Sequence, residues 1–198
     1  MIALIRAILR IVFITATLVI VYFSITYKPY RIFAPSLAPV NCISDTICVE
    51  SRFKTSEAQR LYREALSFVS REVGEIKRPP RIYFCSTQEC SDYFGVEGAT
   101  GYAVGNLGIV IKPNGWRART VRHELIHHLQ SERLGPIQFY LTPLWFREGM
   151  AYHLSVNTSQ RFSNESGVEG LRQRFEAWYQ TFPKDKIWEE ARKLQRLD

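Results

Sequence analysis

The chain has 198 residues and a formal net charge of +7. Its length leaves room for one domain of ordinary size after an apolar N-terminal stretch. The basic charge alone would suit a nucleic-acid binder, but Lys and Arg are interleaved with Asp and Glu, without a basic block, a paired-Cys finger or an aromatic RNA-binding signature. We therefore predict a solvated basic surface and no nucleic-acid partner.

The N-terminal stretch predicts a membrane anchor over residues 1–28. Ile11 to Tyr27 contains no charged residue and would cover roughly 25 Å as a helix, slightly less than a bilayer core. Arg6 and Arg10 can snorkel, so a tilted span from about Ile5 to Tyr27 is long enough.

Two alternatives to an uncleaved signal anchor are weighed. A cleaved signal peptide needs a small-x-small site just after a shorter apolar core, but the nearest such pair, Ser36 and Ala38, lies well past the run and precedes Pro39. A buried core helix is disfavoured because the segment is apolar on all faces.

Four cysteines follow the anchor in two close pairs, Cys42 with Cys48 and Cys85 with Cys90. Neither pair has the two-residue gap of a zinc knuckle or a redox motif. An even count favours disulfides in an oxidising compartment over four unrelated core thiols. Three pairings are possible and we favour the two local ones. We therefore expect a single-pass membrane protein whose domain lies outside the cytoplasm, on the periplasmic or extracellular side.

The remaining chain predicts an α+β domain, a small sheet packed under several helices. Residues 29–40 contain three prolines and predict a stalk, after which the domain would span residues 41–198. Helices are predicted at 55–74, 120–134, 143–155, 166–180 and 185–197, strands at 81–85 and 108–112, and a Gly-rich loop at 91–107.

The helix at 120–134 carries the run His-Glu-Leu-Ile-His. His123 and His127 are four residues apart and lie on one helix face, so both imidazoles can reach one ion. Glu124 would lie beside that ion and take a proton from a metal-activated water, which is the physical content of the HExxH motif of zinc enzymes. A catalytic zinc site also needs a third protein ligand and an open position. Glu148 on the next predicted helix is the candidate, and Gly149 is expected to let that helix approach the active one.

HELIH followed about twenty residues later by WFREGMA resembles the gluzincin class of zinc metallopeptidases, which includes thermolysin-like enzymes and membrane-alanyl-type aminopeptidases. The resemblance covers roughly residues 101–155. In that class the third ligand is a Glu within Trp-x-x-Glu-Gly-x-Ala, matched here by Trp145, Glu148, Gly149 and Ala151. It implies a zincin-like fold, one Zn²⁺ ion, and a peptide or protein substrate.

In the same class an edge strand before the active helix holds extended substrate by backbone pairing. We expect the strand at 108–112 to be that edge. Substrate-binding candidates are Gly108, Ile109 and Val110 in that strand, together with Tyr102 and Asn106 in the loop before it.

The sequence also departs from the gluzincin pattern. Some gluzincins have an Asp four residues after the ligand Glu, where this chain has Tyr152, a candidate donor to the oxyanion or a packed core residue. Residues 101–106 lack the acidic motif of the exopeptidase branch, and Gln130 and Arg133 exclude the metzincin pattern. We expect His128 to point off the metal face, as a supporting or surface residue rather than a ligand, and His153 to be a packed or surface imidazole. The favoured function is a zinc peptidase with Glu124 as general base; the alternative is a catalytically silent zincin-fold binding module tethered to the membrane.

Overall fold

The structure is a computed structural model that describes residues 2–26, 28–96, 100–156 and 166–194. Within these residues the chain is α+β, with eight α-helices and a small mixed sheet of five strands. The α-helices are α1 (Ile2–Thr26), α2 (Thr55–Glu72), α3 (Gln88–Tyr93), α4 (Ala118–Leu134), α5 (Pro136–Leu141), α6 (Leu144–Leu154), α7 (Ser166–Tyr179) and α8 (Ile187–Lys193). The strands are β1 (Asn41–Cys42), β2 (Ile47–Val49), β3 (Ile82–Phe84), β4 (Gly101–Val104) and β5 (Gly108–Ile111). Short 3₁₀ helices occupy Lys28–Phe33, Pro35–Leu37, Arg52–Lys54, Pro113–Gly115 and Lys184–Lys186.

Helix α1 is long and apolar enough to cross a membrane. Its window Ile5–Tyr22 has a mean hydropathy of 2.1 and none of it is buried against the rest of the described chain. The predicted local disulfides are confirmed, because Cys42 is bonded to Cys48 and Cys85 to Cys90. Both disulfides suggest that the domain resides on an oxidising, non-cytoplasmic side.

The sheet has the strand order β1-β2-β3-β5-β4, with β2, β3 and β5 parallel and the two outer strands antiparallel to their neighbours. The prediction that residues 108–112 form the edge strand is therefore wrong. Every residue of β5 is buried, which is expected of the continuous apolar run Gly-Ile-Val-Ile between two neighbouring strands. The edge is β4, inside the segment predicted to be a Gly-rich loop, and that same segment also contains the end of α3.

The main core lies between one face of the sheet and α2 and α4. Helix α2 buries Ala58, Leu61, Tyr62, Ala65, Phe68 and Val69, which recur at helical spacing on one side. Successive strand residues point to opposite faces, so Ile82 and Phe84 join this core while Tyr83 joins a smaller cluster on the other face. Helix α4 is thereby fixed over the sheet, and it ends where Gly135 adopts a positive φ of 82°.

The predicted stalk packs against the domain between Lys28 and Leu37. Ile32 is 4 % exposed and belongs to the smaller core cluster. The hydroxyl of Tyr83 donates to the carbonyl of Ile32, and Nη1 of Arg31 donates to the carbonyl of Tyr93 at 2.9 Å. This part of the segment is therefore a fixed support rather than a free linker.

Helix α6 packs closely against α7. A methyl group built on Gly149 would lie 2.3 Å from the carbonyl oxygen of Leu171 and 2.8 Å from Cβ of Phe175. The expectation that Gly149 permits close approach to the active helix is therefore wrong, because the close contact is with α7. The connection between α4 and α6 is itself helical and forms α5.

Candidate metal centre and cleft

Three side chains from α4 and α6 form a group that could hold a metal ion. His123 and His127 lie one turn apart on α4, and Glu148 reaches them from α6. The Nε2 atoms of the two histidines are 3.0 Å apart; that of His123 lies 3.5 Å from Oε2 of Glu148 and that of His127 lies 3.5 Å from Oε1. The potential ligand atoms all lie within 4.8 Å of one another. We call these three residues the His–His–Glu cluster.

The donor spacing in the cluster suits a small tetrahedral cation. Donors held about 2.0–2.1 Å from a tetrahedral ion are about 3.3 Å from each other. The two nitrogens are 3.0 Å apart and each lies 3.5 Å from a different oxygen of the Glu148 carboxylate, distances on either side of that value. Two imidazole nitrogens and one carboxylate oxygen also form a donor set that borderline-soft divalent ions accept, with a fourth position left for another ligand.

The carboxylate of Glu124 lies beside this cluster, beneath the edge strand. A methyl group built on Gly101 would lie 2.9 Å from Cγ and 3.0 Å from Oε1 of Glu124, so only a glycine leaves room there. The backbone of Ala103 donates a hydrogen bond to the same carboxylate. Burial raises the pKa of Glu124, although the nearby histidines lower it in part. Strand β4 thus positions Glu124 next to the cluster.

The members of the cluster attract one another. Burial alone would raise the pKa of Glu148, but hydrogen bonds from His123 and His127 and the charge of their rings hold it well below its usual range. Burial would lower the pKa of His127, yet contact with the Glu148 carboxylate raises it overall. A cation or a proton can bridge a negative carboxylate and two imidazoles that face one another in this way.

Gln130 connects the cluster to α6, a role that the sequence analysis missed. Its Oε1 lies 2.9 Å from Nδ1 of His127, and its Nε2 donates to the carbonyl of Arg147 at 3.1 Å. When Nδ1 of a neutral His127 ring donates to Gln130, the lone pair of Nε2 is available to a metal ion. The available signal was the spacing of three residues from His127, which puts a buried amide on the same helix face.

The cluster opens into a cleft of about 520 Å³ between β4 and helices α4, α5 and α6. Its walls comprise Thr100, Gly101, Tyr102, Ala103, Arg117, Arg119, Thr120, His123, Glu124, His127, Phe139, Tyr140, Arg147, Glu148 and Tyr152. The ring of Tyr152 stands 4.5 Å from that of His123, centroid to centroid.

Not every predicted site residue reaches the cleft. Tyr102 and Tyr152 line it together with the cluster and Glu124. Asn106 lies in the turn after β4 and is not part of its walls. Gly108, Ile109 and Val110 lie in the interior strand β5 and are fully buried within the sheet, so the edge position expected of them belongs to Gly101–Val104.

The two other histidines have structural contacts. His128 is 1 % exposed and its Nε2 lies 2.9 Å from the carbonyl of Arg78, on the side of α4 away from the cluster. His153 packs against the ring of Phe175 at 5.6 Å, and burial lowers its pKa. Neither lines the cleft.

Comparisons of the chain with protein-family models, with curated proteins and with solved structures found no match. The functional argument therefore rests on the geometry of the cluster, Glu124 and the cleft.

Proposed function

We propose that the chain is a membrane-anchored zinc peptidase of the gluzincin type with a zincin-like fold. The observation that carries this proposal is the position of Glu124, a buried carboxylate held by the edge strand beside the His–His–Glu cluster and facing an open cleft. A purely structural zinc site is usually closed by four protein ligands and has no use for such a carboxylate. The arrangement favours hydrolysis over a structural metal.

Each residue of the site has a distinct role in this proposal. His123, His127 and Glu148 bind the ion and leave one position open. Zinc, when bound, acidifies water and polarises the scissile carbonyl. Glu124 accepts the proton of the attacking water and delivers it to the leaving amine. Tyr152, whose ring packs against that of His123 in the cleft wall, is the candidate donor to the oxyanion of the tetrahedral intermediate. Tyr102 also lines the cleft, but its side chain packs against the smaller core cluster on the other face of the sheet.

Strand β4 supplies the surface that would hold an extended peptide. It runs along α4 in the same direction, because Gly101 contacts Glu124 while Gly105, just after the strand, faces Ser131. Its partner in the sheet is β5 and its other edge borders the cleft. A peptide added to that edge by backbone pairing would pass over the His–His–Glu cluster.

The proposal places α1 in the membrane as an uncleaved anchor and the domain on the oxidising side. The length and hydropathy of α1 and the two disulfides support this topology. Substrates would then be proteins of the periplasmic or extracellular side, within reach of the membrane surface.

The substitution Glu124→Gln tests the catalytic role. In the zinc-loaded full chain, held in detergent micelles, we expect the variant to retain one zinc ion while hydrolysis of an unfolded protein falls at least about a hundredfold, because the proton acceptor is lost. Metal analysis and a fluorescence-release assay measure the two effects. Undiminished hydrolysis by this variant would contradict the assignment of Glu124.

A second experiment tests the ligand set. Glu148→Ala is expected to lose zinc, whereas His128→Gln, which changes the neighbouring histidine outside the cleft, is expected to retain it. Zinc retained at full occupancy by Glu148→Ala would contradict the third ligand. A zinc-loaded wild type that turns over no peptide would instead favour the tethered binding module.

A further inference from the structure

Arginine side chains stand at both ends of the cleft, with the His–His–Glu cluster between them. At one end, Cζ of Arg119 lies 5.9 Å from the ring centroid of Tyr152, which in turn packs on His123. At the other end, Cζ of Arg147 lies 5.6 Å from the ring centroid of Phe139, which stands 6.3 Å from the ring of His127. A peptide lying along β4 would therefore meet a cation on either side of the cluster.

The guanidinium of Arg147 has an unmet hydrogen-bonding requirement. Its Nε is buried and has no hydrogen-bond partner within the described residues. Among the described residues its side chain forms no ion pair, and its guanidinium lies over the face of Phe139. A buried donor left unpaired costs free energy, and the described residues supply no partner for this one. Because Nε itself is covered while Arg147 lines the cleft, the other nitrogens of the guanidinium are those that a partner in the cleft would meet.

The position of Arg147 is fixed relative to the cluster. Its carbonyl accepts from Gln130 at 3.1 Å, and Gln130 also contacts His127. It directly precedes the ligand Glu148 on α6. A partner held by its guanidinium would therefore lie at a defined distance from the cluster, on the His127 side.

The charges of the cleft identify the chemistry of that partner. Among the described residues, the walls carry Arg117, Arg119 and Arg147, and their only carboxylates are Glu124 and Glu148, both at the cluster. A planar guanidinium binds a carboxylate through two parallel hydrogen bonds, and a cationic group would be repelled by the same walls.

We propose that Arg147 binds a carboxylate of the polypeptide substrate on the His127 side of the cluster and so makes the enzyme selective for acidic substrates. This inference rests on the proposed function and names its substrate class. The carboxylate can come from a Glu or Asp side chain or from the C-terminus of the chain being cleaved, and the experiment separates these two sources.

The experiment measures peptide binding without turnover. The zinc-loaded Glu124→Gln full chain in detergent micelles is titrated calorimetrically with a short peptide blocked at both ends, in which one Gln at a time is replaced by Glu. A further peptide has the all-Gln sequence with a free C-terminal carboxylate. We expect one Glu position, or the free C-terminus, to bind roughly tenfold or more tightly than the blocked all-Gln peptide.

Substitutions in the same background assign the effect to one side chain. Arg147→Gln is expected to remove the preference for the carboxylate, and Arg147→Lys, which keeps the charge but loses the paired geometry, to reduce it severalfold. The matched control is Arg174→Gln, because Cζ of Arg174 also lies over an aromatic ring, 5.1 Å from the centroid of Trp145, but outside the cleft. The control is expected to keep the preference in full.

Equal binding of the Glu and Gln peptides overturns the inference, as does an absence of binding by every peptide or a preference that survives Arg147→Gln. If Arg147→Gln fails to fold, an unchanged preference in Arg147→Lys overturns it equally. The proposed function can fail independently of this inference. If the chain prefers carboxylate peptides in binding but the wild type hydrolyses none, the peptidase proposal is contradicted and the carboxylate site is kept. If the wild type hydrolyses Glu and Gln peptides with equal kcat/KM, the peptidase proposal is kept and the carboxylate preference is contradicted.

Discussion

At the scale of single residues, the site depends on side chains that orient other side chains. Glu124 is held by the backbone of Ala103 and the absence of a side chain at Gly101, and His127 is oriented by Gln130. The ligands themselves follow from HExxH and the later Glu, because helical spacing dictates that His123 and His127 share a face. Gln130 was not predicted, because its importance comes from a carbonyl of α6 that only the folded chain brings near.

The substitution Gln130→Leu tests this orientation. It removes the partner of Nδ1 of His127 and leaves the carbonyl of Arg147 without its donor, so we expect zinc affinity to fall about 10–100-fold. Competition with a chromophoric chelator measures the affinity.

The matched control for this change is the next residue. Ser131 is fully buried, but its Oγ has no hydrogen-bond partner within the described residues. Ser131→Ala should therefore keep the zinc affinity of the wild type. Equal affinities in Gln130→Leu and the wild type would show that the contact with His127 is dispensable.

At the scale of elements, α6 is positioned by the helix that follows it. Gly149 lies against the backbone of Leu171, and the aromatic rings of Phe146 and Phe175 pack between the two helices at 6.2 Å. Helix α7 therefore supports the element that carries Glu148. Sequence patterns predicted both helices closely, but the partner of Gly149 was assigned to the wrong helix, because a small residue indicates a close approach without indicating what approaches.

Gly149→Ala should destabilise the fold. The added methyl would lie 2.3 Å from the carbonyl oxygen of Leu171, and overpacking of this kind costs about 1–3 kcal/mol, more than the gain of up to about 1 kcal/mol from better helix propensity. Urea denaturation of the full chain in micelles measures the free energy of unfolding.

Gly170→Ala is the control within the same helix pair. A methyl group there would meet nothing within 4 Å, so the variant should be as stable as the wild type or up to about 1 kcal/mol more stable. A Gly149→Ala variant with unchanged stability would mean that α6 and α7 can separate without cost.

The strands were harder to predict than the helices. The run at 108–112 was correctly predicted to be a strand, but it was wrongly predicted to lie at the edge of the sheet. An uninterrupted apolar run is typical of a strand buried between two neighbours. Strand β4 was missed because the glycines around it are typical of loops. Gly101 is required there for a different reason, namely the close approach of Glu124.

At the scale of the whole molecule, the segment after α1 belongs to the domain fold. Ile32 packs in the smaller core cluster, and its carbonyl accepts a hydrogen bond from the hydroxyl of Tyr83. The side chain of Arg31 donates a second hydrogen bond to the carbonyl of Tyr93. The domain is therefore fixed close to the end of α1. A membrane helix followed by a free stalk would have left the domain loosely tethered.

Shortened chains test this arrangement. A chain that begins at Lys28 should be more stable to urea than one that begins at Asn41, by about 2–3 kcal/mol, because the longer chain keeps the burial of Ile32 and the acceptor of the Tyr83 hydroxyl. Both chains lack α1, so the membrane helix does not enter the comparison. Identical urea midpoints would show that residues 28–40 contribute nothing to the fold.

The sequence by itself determined the local features of this protein. These are the apolar helix, the extents of the main helices and the pair His123 and His127, all of which follow from spacing along the chain. The local disulfides were favoured among three possible pairings, and Glu148 was the candidate third ligand that the resemblance supported. Only the tertiary structure decided which strand forms the edge, which helix Gly149 contacts, that Gln130 bonds to the carbonyl of Arg147, and that Arg147 lines the cleft with a buried Nε that has no partner within the described residues. The physical reason is that these features depend on contacts between residues distant in sequence, for which periodicity and composition carry no signal.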